Sequence, residues 1–334
     1  MQRFKYYILA AIAALMMTSC EKNVQMITEI NSDGTCTRFY SIKESDNVYA
    51  DETWAEDMND TVRTTIYRTF NSVEEMAANP VLAVNGEYIN SQAQLDKKFK
   101  WFYTDYTFSE TFASKEHFVN VPWTDKMSRD ELSFMLTGYP NLTEGMTGEE
   151  IVQFMDPLQD KFEYLSYLSV IDCDLRLIAN HYGIIANPPV DRTTFMSLRD
   201  SITTYAMENS WDILRHRNGL IQEYFNSDAY NIFYDSNDDI KDEFEDEYEG
   251  YLNFVDLYYL ITPYSLKMPG RVIETGRGTL NDGVIDYRFG GKFLLVGDYT
   301  ITATSRVTNV WAFILSGLIV LLALVTLLKS SLYR

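Results

Sequence analysis

The chain has 334 residues, 28 of them basic and 48 acidic, with a formal net charge of −20. A surface this acidic repels nucleic-acid phosphates and anionic lipid headgroups, so no nucleic-acid partner is expected. The 24 Tyr, 19 Phe and 5 Trp exclude disorder for the chain as a whole, and its length suffices for one large or two ordinary domains with real cores.

Met1–Cys20 carries Arg3 and Lys5, then the apolar Tyr6–Met17, then Met17-Thr18-Ser19-Cys20. Charged, apolar and small-residue regions in that order make a secretory signal, too short and too weakly flanked to span. Thr18-Ser19-Cys20 resembles the lipobox of bacterial lipoproteins. The resemblance implies a signal peptide over residues 1–19 and acylation of Cys20, with palmitate-type chains holding the mature N-terminus at the membrane. A plain secretory signal that happens to contain a cysteine is the alternative.

Residues 20–124 read as the β-rich opening of an ectodomain. Gln25–Asn31 and Thr35–Lys43 are β-prone, with the turn pair Asp33-Gly34 between them, and Val62–Phe70 reads as another strand. Ser72-Val73-Glu74-Glu75 is a capping box that opens a short helix ending before Pro80. Lys98–Phe112 predicts one long strand. Phe99, Trp101 and Tyr103 fall on one face and Phe102, Tyr106 and Phe108 on the other, as in a strand covered on both sides.

Residues 125–262 carry a helical period and read as an insert. Ser128-x-x-Glu131 and Thr147-x-x-Glu150 are capping boxes, and Pro157 starts a run to about Asn180 with Leu158, Phe162, Leu165 and Leu168 at helical spacing. Gly183 suits its C-cap. Thr193–Asn226 reads as helical with a break at Asn218-Gly219, and Asp239–Ile261 as the last helix. Nine acids and one Lys lie between Asp235 and Glu249. Asp235, Asn237 and Asp239 match the first ligand positions of a calcium loop. Ile240 then stands where the loop needs Gly, and Asp246 where it needs a bidentate Glu. Ile240, Phe244, Tyr248, Val255 and Tyr259 recur at helical spacing, so the run reads as the acidic outer face of an amphipathic helix.

The β pattern returns over residues 263–308. Arg271–Glu274, Val284–Phe289 and Phe293–Thr304 read as a meander turning at Asn281-Asp282-Gly283 and Gly290-Gly291. Tyr299, Ile301 and Ala303 alternate with threonines, so one face of the last strand is expected to be buried. Trp311–Leu328 then gives eighteen residues without a charge. At ~1.5 Å per residue they reach ~27 Å, the thickness of a hydrocarbon core, and a transmembrane helix is expected over residues 309–329. Lys329 and Arg334 follow with no acid beyond, which places the tail 330–334 in the cytoplasm and the ectodomain in the periplasm. An α-helical span implies the inner membrane, because outer-membrane spans are β-barrels. Without Arg3, Lys5, Lys329 and Arg334 the ectodomain keeps 24 basic residues against 48 acidic.

The expected fold class is therefore α+β. One membrane-proximal antiparallel sheet is built from the N- and C-terminal parts of the ectodomain, with a helical insert and one C-terminal transmembrane helix. The strand hairpin, capped helix and β meander running into a span loosely look like membrane lipoproteins of the LppM type. The helical insert departs from that pattern, and the resemblance implies neither ligand nor site.

Few residues stand out for chemistry. Cys36 and Cys173, in an oxidising compartment, are candidates for a disulfide joining the β layer to the insert, and two separate buried thiols are the alternative. His117, His181 and His216 form no HExxH or HxH pattern, and no G-x-S-x-G, P-loop or dinucleotide fingerprint occurs. No catalytic, cofactor-binding or metal residue is assigned, and no cofactor is expected. Asp60-Thr61-Val62 and Asp200-Ser201-Ile202 resemble the acceptor motif for O-glycosylation of exported proteins in Bacteroidota, which makes Thr61 and Ser201 candidate acceptors. The functional expectation is a non-enzymatic, membrane-anchored ectodomain that binds a protein partner in an envelope complex. A lipid or hydrophobic-ligand binding module is the alternative, and an enzyme of unrecognised type the third.

Overall fold

A computed structural model describes residues 24–43, 48–57, 63–214, 217–234, 244 and 247–332. The chain is mixed α+β with antiparallel-rich sheets, and it divides into two compact units. The first holds the residues up to Ala113, Ile261–Gly290 and everything from Asp298 onward. The second holds Ser114–Leu260 and Gly291–Gly297.

Alternation builds the first unit. β1 (Val24–Ile30) buries every second residue, and Asp33-Gly34, with Gly34 at φ 103°, turns it into β2 (Cys36–Ile42). β3 (Ala55–Asp57) and β4 (Thr64–Phe70) extend one side of that hairpin. On the other side β9 (Tyr264–Lys267) runs parallel to β1, followed by β12 (Val284–Tyr287) and β11 (Thr279–Asn281). These strands form a seven-stranded sheet in the order β11-β12-β9-β1-β2-β4-β3. A second sheet has the order β10-β13-β8-β7, where β7 is Ser91–Lys100, β8 Tyr103–Phe112, β10 Arg271–Glu274 and β13 Tyr299–Thr308. Ala83–Val84 and Glu87–Tyr88 form a small separate hairpin, β5–β6.

The early and late strands thus meet in two sheets, and one of the pairings is parallel; the single antiparallel sheet expected from the sequence is not what forms. Each sheet has one apolar face, Met26 and Tyr40 in the larger, Phe108 and Ile301 in the smaller. Facing the two together buries both faces, which a single layer would leave in water.

The expected strand Lys98–Phe112 is instead a hairpin, β7–β8, closed by Trp101 and Phe102. The turn Lys100–Tyr103 carries none of the Gly, Asn, Asp or Pro residues that mark a tight turn in sequence. A short helix, Val73–Ala77, starts where expected. Ser72 Oγ accepts from Glu75 N at 3.2 Å, while the Glu75 carboxylate reaches back to Asn71 N at 2.9 Å.

The second unit is helical. Its longest helix, Gly148–Asn180, starts at the Thr147–Glu150 capping box and continues through Pro157 instead of beginning there. Pro157 and Gln153, whose carbonyl loses its helical partner to the proline, are both exposed, so water can take the vacated acceptor. Helices Arg192–Ser197, Arg199–Glu208 and Arg217–Phe225 replace the expected Thr193–Asn226 run. The break falls at Asn209–Leu214, where Ser210 takes φ 53°, and not at Asn218-Gly219. Gly219 lies inside a helix, under the Trp211 ring; a Cβ there would meet that ring at 3.0 Å. Phe195, Phe225 and Tyr230 stack with centroids 5.1–5.6 Å apart at the centre of these helices. Of the expected last helix, Phe244, Glu247–Tyr251 and Asn253–Tyr259 are described and helical, and the acidic stretch Asp235–Glu243 lies outside the described residues.

β13 ends at Thr308 and an apolar helix, Val310–Leu332, begins after the single residue Asn309. Its segment Val310–Lys329 is long and apolar enough to cross a membrane and is almost wholly exposed.

Candidate functional site

The end of the first unit from which the apolar helix leaves carries its most distinctive features. Three turns converge there: Asn31-Ser32 after β1, Met268-Pro269-Gly270 after β9, and Asp282-Gly283 between β11 and β12. With Val307 of β13 they frame an open groove of about 560 Å³ that mixes apolar and polar lining, including the Lys267–Glu29 ion pair at 3.1 Å. The turns are held from behind. Lys97 Nζ donates to the carbonyls of Asp33 at 2.6 Å and Ser32 at 3.2 Å, and Tyr106 Oη donates to Ser32 O at 2.9 Å. Gly270, at φ 75°, lies so close to β13 that a Cβ would meet the Arg306 carbonyl at 2.4 Å. Only glycine fits there.

Beside the groove, the β7–β8 hairpin lies against the start of the apolar helix. Phe99 stacks on Trp311 with rings 5° from parallel, Trp101 meets Trp311 edge-on at 5.4 Å, and Phe102 meets Phe313 at 4.7 Å. Asn309 is the knot. Its backbone N–H donates to Phe102 O at 2.9 Å, and its side-chain amide to Lys100 O at 2.9 Å and Trp101 O at 3.3 Å. One strand further in, Asp105 takes Arg306 at 2.6 Å and Lys100 at 2.9 Å. Those two donors hold its carboxyl down at about 2.

Between the two sheets lies a buried ionic network that sequence reasoning missed. Arg38 of β2 donates to both carboxylate oxygens of Glu110 of β8, at 2.8 and 3.0 Å, and both side chains are almost fully buried. Ser91 Oγ and Tyr264 Oη also donate to Glu110, each at 2.8 Å, and Thr28 Oγ1 lies 2.8 Å from Tyr264 Oη. Burial by itself would lower the Arg38 pKa; Glu110 beside it more than reverses this, so the guanidinium holds its charge. Burial, then Glu110, push the Tyr264 hydroxyl far above its ordinary value. The signal was present in the sequence. Arg38 falls between the inward positions Cys36 and Tyr40, and Glu110 between Phe108 and Phe112, at the strand period of two.

The candidates drawn from the sequence are scattered. Cys20 and Thr61 lie outside the described residues, and Ser201 is exposed on the helix Arg199–Glu208. Cys36 and Cys173 are both free and buried, one in each unit. Each has its own surroundings. Cys36 Sγ donates to Ser72 O at 3.4 Å, and Cys173 Sγ to Ser169 O at 3.1 Å. Burial pushes both thiols up to about 12. The second unit has a smaller cleft, about 220 Å³, lined by Val119, Trp123, Leu132 and Leu295 with the Glu116–Arg129 ion pair at its rim. Comparison of the chain with family models, curated proteins and solved structures finds no match.

Proposed function

We propose that the protein is a non-enzymatic lipoprotein of the bacterial inner membrane, acylated at Cys20, whose periplasmic ectodomain binds a protein partner in an envelope complex. What carries this reading is the junction at Asn309. A stalk would let an ectodomain drift, whereas here one residue separates strand from helix, and that residue is hydrogen-bonded to three carbonyls of a neighbouring hairpin. A protein built this way presents a fixed face at a fixed height above the bilayer. The groove at that end, at about 560 Å³, is open and lined by turns, a shape suited to a protruding loop or strand of another protein.

A hydrophobic-ligand module is the second reading, and the apolar cleft of the helical unit is the observation in its favour. At about 220 Å³ that cleft falls below the ~300–1,000 Å³ of ordinary small-molecule sites, which is why the first reading is preferred.

The test is photo-crosslinking in native membranes with a reactive side chain at Ser32 or at Asp282, and at Tyr49 as a control outside the groove. The partner reading expects the same protein adduct from both groove positions and not from Tyr49. Lipid-sized adducts from residues around the small cleft, with none from the groove, would transfer the assignment to the ligand module.

A further inference from the structure

We propose that the tip of the β7–β8 hairpin is inserted into the bilayer leaflet on the ectodomain side, with lipid acyl chains and headgroups as its partner. The inference rests on reading Val310–Lys329 as a membrane span, and it adds a second, non-helical element to the membrane contact.

Depth along the helix is the first argument. Trp101 Nε1 donates to Ser316 Oγ at 2.9 Å, so the Trp101 ring lies level with Ser316. At ~1.5 Å per residue, Ser316 is about 9 Å along the helix from Val310. The span cannot be moved outward to leave the tip in water. If hydrocarbon began only after Ser316, Gly317–Lys329 would have to cross it alone, reaching about 20 Å against the ~30 Å required. A helix that spans therefore carries Trp101 into the membrane with it.

The chemistry of the tip agrees with its depth. Phe99, Trp101 and Phe102 are 59 %, 44 % and 41 % exposed, a contiguous aromatic surface in an otherwise acidic chain. It continues directly onto Trp311 and Phe313, and Ala312 and Ser316 present a small-residue face beneath it. Backbone polar groups set a stricter requirement. Non-helical backbone survives in lipid only where its carbonyls and amides find partners inside the protein. The carbonyls of Lys100, Trp101 and Phe102 all accept from Asn309, and the Trp101 indole N–H is taken by Ser316. Water would have satisfied these groups at no structural cost. Satisfying them internally is what a lipid-facing turn demands. Lys98, Lys100 and Arg306 stand behind the tip, where long cationic side chains reach headgroups while their stems lie along apolar surface. Asp105, among them, is neutralised by Lys100 and Arg306.

The experiment uses the full chain in vesicles of phosphatidylethanolamine and phosphatidylglycerol. A benzoyl-phenylalanine photoprobe is placed at Phe102, at Leu318 within the helix, and at the exposed Tyr49 of the ectodomain. Acyl-chain adducts at Phe102 are expected at least about tenfold above Tyr49 and comparable with Leu318, since interfacial elements bury several ångströms into the acyl boundary. Adducts at Leu318 but not at Phe102 overturn the inserted tip and leave the span intact. No adducts at Leu318 overturn the span and the tip together. Equal adducts at all three positions mean indiscriminate contact and overturn the tip as well. Acyl-brominated lipids read the native side chain. W101F should lower the quenchable share of tryptophan emission, and quenching unchanged by the substitution overturns the proposal.

Discussion

Arg38 and Glu110 join the two sheets of the first unit through one buried ion pair. An ion pair taken out of water gains little over well-packed hydrophobes, yet breaking it leaves an unpaired buried charge. Glu110→Ala should therefore cost ~3–5 kcal/mol, a large share of the ~5–15 kcal/mol that holds an ordinary domain. Arg38→Met combined with Glu110→Leu should recover most of that loss. Urea unfolding of the full chain in micelles measures both, and a double variant no better than Glu110→Ala would mean that the pair is net stabilising. The thiols give a second residue-scale prediction. With burial holding Cys36 and Cys173 up at about 12, neither is a thiolate at pH 8. Iodoacetamide should modify neither in the folded protein and both after denaturation without reductant. Thiols that react only after reductant is added would restore the disulfide.

At the scale of elements, the parts legible in the sequence are those whose signal is local. The β1–β2 hairpin announces itself by Asp33-Gly34 between alternating residues, and β13 by Tyr299, Ile301 and Ala303 against threonines. Three elements were opaque for identifiable reasons. The turn at Trp101-Phe102 uses no turn-forming residue, because its carbonyls are satisfied by Asn309, more than two hundred positions away in sequence. The parallel pairing of β9 with β1 depends on where the chain returns from the helical unit, which no local pattern records. The helix through Pro157 overrides a strong breaker, with a capping box on one side and buried Leu158, Leu165 and Leu168 on the other. That override has a consequence. Proline inside a helix costs ~3 kcal/mol relative to alanine, and Pro157 is exposed, so Pro157→Ala should raise the unfolding midpoint of the helical unit. Circular dichroism during urea titration measures it, and a lowered midpoint would show that the ring makes a contact worth more than the lost hydrogen bond. Of the candidate site, the sequence revealed the helix and its flanking aromatics. It did not reveal the groove or the aromatic tip, since both are assembled from turns distant in sequence.

For the whole molecule, the proposed arrangement has two anchors with unequal roles. An acyl group at Cys20 would be a second attachment, joined to β1 through Glu21–Asn23. Mass spectrometry of the mature N-terminus should find Cys20 as the first residue and acylated; an unmodified cysteine, or cleavage elsewhere, removes that anchor from the account. The helix is the stronger hold, because insertion of a span is effectively irreversible beside acyl-chain binding, which contributes ~0.8 kcal/mol per buried methylene. Its direct continuation from β13 makes it part of the first unit's own structure.

Membrane fractionation combined with protease access tests the hold of the helix against that of the acyl group. Three proteins are compared: the intact chain, Cys20→Ala, and Cys20→Ala truncated after Thr308. Cys20→Ala should stay in the inner-membrane fraction and resist alkaline extraction, while the truncated chain should be soluble. Protease added from the periplasmic side should digest the ectodomain of the intact chain. A soluble Cys20→Ala protein, or an ectodomain protected from periplasmic protease, would contradict the proposed arrangement.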